Sequence, residues 1–257
     1  MSQAAVKNER LGQLDTTPIH DIYKTYVDSL DRRDLKGLAD IHHPNAVVLA
    51  NKELSQAART GSTAKGGDVQ KFHQAHLDAG LSHQGVWEYV QGNNAFIVRF
   101  RVAVYGTESD GFGYFAIRDG KVWRHVAGIE AEKTRGPAAQ VDPAKLNPLF
   151  VNLSKGLQTR DAKALMQHYA PDSVGLFAAN KSWGFRARGA AHGRDEIQAF
   201  LESYIQGGSQ VAELRDYVDS GDTIYVHGLM SRNGLVSNSY GAYVIENNQI
   251  AFGFSST

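Results

Sequence analysis

The sequence predicts an α+β protein made of two tandem copies of one domain, each with three helices packed on a curved antiparallel sheet. Two observations carry this. Arg33, Asp34, Lys36, Leu38, Pro44, Val47 and Leu49 return 127 positions later as Arg160, Asp161, Lys163, Leu165, Pro171, Val174 and Leu176. After a one-residue slip Gly80, Tyr89, Val98, Gly106 and Gly113 return 128 positions later as Gly208, Tyr217, Val226, Gly234 and Gly241. Solenoid repeats run to roughly 20–50 residues, so a unit this long is a whole domain duplicated. Within each copy, moreover, the apolar spacing changes from a helical period to that of strands separated by turns.

In chain order, residues 1–16 have no apolar period and are expected to form a loose arm. The first domain is expected over 17–130. Thr17-Pro18 predicts a helix start, a hydroxyl cap followed by a ring whose missing N–H would have had no partner. Ile19, Ile22, Tyr23, Tyr26, Val27 and Leu30 then mark one buried helical face. A second, short helix begins near Asp34 and stops before Pro44, and Ala46 to Ala50 is a short strand. Residues 51–67 are polar and rich in small residues, and predict a long irregular connection, a lid or an insert. Asp68 opens a third helix with Val69, Phe72, His73, His76 and Leu77 on one stripe, ending at Gly80. Strands follow at Trp87–Val90, Ala95–Tyr105, Phe112–Ile117 and Lys121–Gly128, with turns at Gly92-Asn93-Asn94 and Asp119-Gly120. Residues 131–141 read as a linker. The second domain is expected over 142–257, opening with Asp142-Pro143 in the role of Thr17-Pro18, and its strands fall at Leu214–Val218, Thr223–Arg232, Tyr240–Ile245 and Gln249–Phe254.

The bulk composition excludes several functions. At 257 residues there is enough chain for two cores. Lysine plus arginine equals aspartate plus glutamate at 27 each, so no basic field suggests nucleic acid or an anionic membrane. Cysteine is absent, which removes thiolate catalysis and cysteine metal sites. The polar opening MSQAAVKNER and the lack of any long apolar run lead to the expectation of a cytoplasmic protein.

The order of elements, together with YVDSLDRRDLKGLADIHHPNAVV and HYAPDSV followed by HGRDEIQAFLESY, resembles the nuclear transport factor 2-like family, particularly its SnoaL-like polyketide-cyclase and ketosteroid-isomerase-like branches. The resemblance implies a cone-shaped domain around one deep, mostly apolar pocket. It also implies catalytic positions that are empty here. The isomerase aspartate at the end of the short strand corresponds to Ala50 and Phe177, and the enolate-binding acid falls near Gly113 and Gly241. The oxyanion-binding tyrosine of the first helix matches Tyr26, with Leu153 at its second-copy position. Epoxide hydrolases of this family place an arginine beside an aspartate on the pocket face of one strand and a further aspartate after Trp-Arg on the last strand. Arg99 or Arg101 and His125 take those places here.

The sequence reading therefore assigns catalysis to His125, Arg99 and Arg101 in the first copy and substrate binding to Tyr26, Tyr105 and Trp123. The arginines are expected to hold a positive field that keeps His125 neutral and able to accept a proton. Against this, Arg99, Arg101 and Tyr105 alternate with Phe96, Val98 and Phe100, and period alone makes the charged face the solvated one. The second copy has His227, Leu229, Ala251 and Gly253 at the matching positions, with Arg186, Arg188 and His192 as its own polar candidates. It is expected to serve as an intramolecular pseudo-dimer partner, with further homo-oligomerisation open.

Seven of the ten histidines, His20, His42, His43, His73, His76, His83 and His125, lie in the first copy. His73 and His76 share a helix face, but no glutamate completes a ligand motif, so the expectation is no metal and no cofactor. The expected function is a cofactor-independent cyclase, isomerase or dehydratase acting on a polyketide-like or terpenoid small molecule with an apolar body. The alternatives are an epoxide hydrolase or epoxide-opening cyclase, and a non-catalytic binding or assembly domain.

Overall fold

The computed structural model of the protein describes residues 19–130, 142–178, 189–232 and 234–256. The expected arm, the Thr17-Pro18 start, the linker at 131–141, and Arg186 and Arg188 lie outside them. The chain divides into two compact units, Met1–Glu130 and Ala131–Thr257.

In the first unit helix α1 spans Asp21–Asp31 and is capped by His20, whose Nδ1 accepts the Ile22 N–H. Its buried face carries Tyr23, Tyr26 and Leu30, as the apolar spacing predicts. Arg33 sits in the left-handed region at φ 54°. It turns the chain so that Asp34 caps α2 (Leu35–Asp40) by accepting the Gly37 N–H. Strand β1 (His42–Ala50) begins four residues earlier than the sequence suggests.

The segment expected to be an irregular lid is structured. Asn51 caps a short helix, α3 (Lys52–Ala57), with Leu54 buried, and β2 (Thr63–Lys65) pairs antiparallel with β1. The Asn51 side chain fixes this connection. Its Oδ1 accepts the Leu54 and Ile129 N–H groups and its Nδ2 donates to the Ile129 carbonyl at 2.7 Å. Helix α4 (Asp68–Asp78) follows, and then the long strands β3 (Ser82–Gly92), β4 (Ala95–Val104), β5 (Thr107–Arg118) and β6 (Lys121–Ile129).

The four long strands are antiparallel, as expected, but the sheet is six-stranded and mixed, in the order β2-β1-β6-β5-β4-β3. The β1–β6 pair is parallel, with Val48 opposite His125 and Ala50 opposite Ala127. This pairing sets the unit's first strand beside its last, start to start, with His42 opposite Val122.

The second unit repeats the plan: α5 (Pro148–Thr159), α6 (Ala162–Leu165), β7 (Tyr169–Ala178), β8 (Gly189–His192), α7 (Gly193–Gln206), β9 (Gln210–Asp219), β10 (Thr223–Arg232), β11 (Leu235–Glu246) and β12 (Gln249–Ser256). Its sheet order, β8-β7-β12-β11-β10-β9, is the same, with β7 and β12 parallel. The echo reaches individual bonds. Arg160 is left-handed at φ 59°, and Asp161 caps α6 as Asp34 caps α2. The Tyr217 hydroxyl accepts the Asn147 N–H as the Tyr89 hydroxyl accepts that of His20. One expectation shifts: Asn147-Pro148, not Asp142-Pro143, starts the long helix, because Asp142 caps a separate 3-10 turn at Pro143–Lys145.

Candidate functional site

Strand register aligns the two interiors residue by residue. His42 pairs with Val122 and Tyr169 with Ile250; Phe115 pairs with His125 and Tyr243 with Gly253. The glycines after α4 and α7, Gly80 and Gly208, both left-handed, align the helices. The interior set His42, His73, His76, Phe115 and His125 of the first unit thus corresponds to Tyr169, Leu201, Tyr204, Tyr243 and Gly253 of the second.

In the first unit these positions hold a packed cluster of imidazoles. His42, His73, His76 and His125 are all buried, and one ring nitrogen from each of His42, His73 and His125 lies within 4.8 Å of the others. His125 stacks on Phe115 at 4.2 Å and meets the edge of Tyr26 at 5.6 Å. His83 stacks on Phe100 at 3.9 Å, and its Nδ1 lies 3.0 Å from the Tyr23 hydroxyl. Burial keeps these rings neutral. It pushes His42 and His76 down to about 4 and His83 to about 3, and holds His73 and His125 well below the ordinary histidine value. The same burial raises the Tyr26 phenol.

The sequence-predicted arginines do not join this cluster. Phe96, Val98, Phe100 and Val102 of β4 pack into the core with α1 and α4, so the alternate residues Arg99 and Arg101 point to the opposite face of the sheet. Arg99 lies over the Trp87 ring at 4.0 Å, donates from Nε to Glu130 at 2.9 Å and is 3.4 Å from Glu88. Arg101 pairs with Asp110 at 3.0 Å and Glu108 at 3.8 Å. Four carboxylates therefore offset the two guanidiniums, and His125 is kept neutral by burial and by its neighbouring imidazoles, not by an arginine field. Tyr105 is also misplaced by the sequence reading: it is 57% exposed in the turn after β4, at φ 48°. Trp123 is buried but lies between the Arg118 and Arg124 guanidiniums, at 3.6 and 4.0 Å. Of the six residues assigned to the site, His125 and Tyr26 are brought together and the other four stand elsewhere.

In the second unit the equivalent positions line a cavity of about 110 Å³. On a scale where one water takes about 10–15 Å³, that is room for a small organic molecule. Leu153, Phe177, Phe200 and Leu201 form apolar walls, and Tyr169, Tyr204 and Tyr243 supply phenols. Gly253 explains the opening. A Cβ placed there would come no nearer than 3.6 Å to another side chain, that of Tyr169, so the space filled by the His125 imidazole in the first unit is left free. Burial raises all three phenols, Tyr243 to about 12 and the other two further, so at neutral pH they are protonated hydrogen-bond donors. The sequence reading placed the working pocket in the first copy, whereas this cavity lies in the second. The sequence signal for it is the exchange of His125 for Gly253 at matching positions.

No family model matches the chain, and no curated protein matches it. It is similar to a putative polyketide cyclase from Sinorhizobium meliloti, at 17% identity over 45% of this chain and 99% of that one, with a TM-score of 0.38. A putative ketosteroid isomerase from Kribbella flavida is 15% identical over 49% of this chain and 91% of its own, with a TM-score of 0.37. An NTF2-like protein of unknown function from Cytophaga hutchinsonii is 14% identical over 42% of this chain and 84% of its own, with a TM-score of 0.34. The solved structures that this chain resembles are thus NTF2-like, polyketide-cyclase and ketosteroid-isomerase-like proteins, each covering between 42 and 49% of it.

Proposed function

We propose that the second unit binds a small, largely apolar molecule carrying a carbonyl oxygen, and that this chain is a cofactor-independent cyclase for such a polyketide-like or terpenoid compound. The observation that carries the reading is the Gly253 cavity, apolar in its walls and supplied with protonated phenols at Tyr169, Tyr204 and Tyr243. The described lining residues include no carboxylate and no imidazole, which favours polarising a carbonyl over abstracting a proton. A substrate already in its enol form can close its own enol carbon onto that carbonyl in a folded conformation, the enol hydroxyl proton passing by way of a phenol to the new alkoxide oxygen. This favours ring closure over isomerisation by a protein base, and it drops the His/Arg acid–base pair.

The test is thermal stabilisation and turnover of the full chain with a panel of aromatic ketones and poly-β-carbonyl compounds. Binding should raise the melting temperature by mass action. Gly253→Phe, which fills the cavity, should abolish the shift. Tyr243→Phe should weaken binding by about 3- to 10-fold, the worth of one hydrogen bond. A shift that survives Gly253→Phe places the ligand elsewhere and overturns the reading; binding without turnover of any cyclisable compound leaves a binding domain and overturns the catalytic part.

A further inference from the structure

We propose that His42, His73 and His125 of the first unit form a binding site for a divalent transition-metal ion of the zinc type. Their donor atoms lie within 4.8 Å of one another, a separation that three ligands of one ion can close with small side-chain adjustments. They come from three different elements, the start of β1, the middle of α4 and the middle of β6. The parallel β1–β6 pairing is what unites residues 83 positions apart in sequence, 125 minus 42.

Two further observations point to a ligand. The His42 Nε2, both ring nitrogens of His73 and the His125 Nδ1 are buried with no hydrogen-bond partner. Leaving such groups unsatisfied is costly, and proteins rarely do so without a use for them. The His42 Nδ1 lies 2.8 Å from the Leu38 carbonyl, which can only accept, so the proton is on Nδ1 and the lone pair is on the unpartnered Nε2. A backbone carbonyl fixing the tautomer of a histidine is the usual outer support of a metal ligand.

The donor set also selects the ion. Neutral imidazoles, with no carboxylate or thiolate in the group, suit zinc, cobalt or copper and not magnesium or calcium, which require oxygen ligands. Three protein ligands leave the fourth position of a tetrahedral ion to water or another small donor. The competing explanation is an aromatic cluster that happens to be built from imidazoles: His42 and His73 are 4.8 Å apart between ring centroids, and His42 and His125 are 5.8 Å.

Because the site is enclosed, the experiment loads it by refolding. The full chain is unfolded in urea with chelator, then refolded with Co²⁺, dialysed, and measured for cobalt content and visible absorption. One cobalt per chain is expected, with the intense bands of a tetrahedral imidazole site, lost in His73→Phe and retained in His43→Ala, a half-buried histidine outside the cluster. Zinc should displace the cobalt and raise the melting temperature of the first unit. No stoichiometric cobalt in the folded wild-type chain overturns the proposal whatever the variants do. So does weak octahedral absorption, or cobalt that persists at full stoichiometry in folded His73→Phe.

Discussion

Lowering the pH should unfold the first unit well before the second, with a size set by its buried imidazoles. His42, His73, His76, His83 and His125 all have protonation suppressed by burial in the folded state. Unfolded, each regains a pKa of about 6.5. The folded values lie below the unfolded ones, so stability is full above pH 6.5. It falls as the pH drops towards about 4, because the unfolded chain takes up protons that the folded chain refuses. At pH 5 a histidine of unfolded pKa 6.5 and folded pKa 4 favours unfolding by about 2 kcal/mol, so His42, His76 and His83 together reach about 6 kcal/mol, and His73 and His125 add to it in the same direction. That is the whole stability of an ordinary domain. Asp31 and Glu130, whose carboxyls burial raises, act in the opposite sense, but two carboxyls do not reverse five imidazoles. The assay is Trp87 and Trp123 fluorescence in Trp183→Phe protein, with chelator present to keep the imidazoles metal-free. Urea midpoints are taken from pH 7.5 to 4.5, beside far-ultraviolet circular dichroism for the second unit. The expected result is a first-unit midpoint near pH 5 with an uptake of about four to five protons, while the second unit, with Tyr169, Leu201, Tyr204 and Gly253 at the equivalent places, persists to lower pH. A first-unit midpoint below pH 4, or an uptake of fewer than two protons, would refute the reasoning.

Other perturbations follow from single contacts. Asn51→Ala should cost about 2–4 kcal/mol, since it removes the α3 cap and strands the Ile129 backbone groups at once; urea denaturation reads this directly. Arg99→Met should cost about 3–5 kcal/mol by leaving Glu88 buried without its guanidinium, yet leave ligand stabilisation in the second unit unchanged, the reverse of what a catalytic Arg99 requires. His125→Gly should open in the first unit the space that Gly253 leaves in the second. The variant should then be stabilised by added 4-methylimidazole, which leaves wild type unmoved, as a thermal-shift titration will show.

The architecture was legible because duplication doubles the signal: a Pro44 or a Gly80 that could be chance in one copy is not chance when Pro171 and Gly208 repeat it. The α3 helix was not legible. Six residues are too few to show a period, and its cap depends on Ile129, 78 positions away. The site was half legible. The alternation along β4 correctly separated Arg99 and Arg101 from Phe96, Val98 and Phe100, but a strand does not state which face meets the helices. Both faces turn out to be buried at Arg99, where two glutamates and Trp87 enclose the guanidinium, so neither charge nor exposure marks the interior. The histidine cluster was hidden for another reason. The helical pair His73 and His76 is conspicuous in sequence, whereas the partners of His73 in space, His42 and His125, meet it only through a parallel strand pair that no hairpin announces.

One scaffold thus holds two different interiors, and each is left energetically incomplete. The four unpartnered ring nitrogens of His42, His73 and His125 cost several kcal/mol, at about 1–3 kcal/mol apiece. The second holds a cavity of about 110 Å³ that its side chains leave unfilled. Either deficit could be removed by a few apolar substitutions, as the well-filled core around Leu30, Leu38 and Phe96 demonstrates in the same chain. The deficits also differ in kind. One lacks an electron-pair acceptor, the other a filling side chain. The exchange of His125 for Gly253 is what separates the two interiors at that position, a buried imidazole in the one and open space in the other.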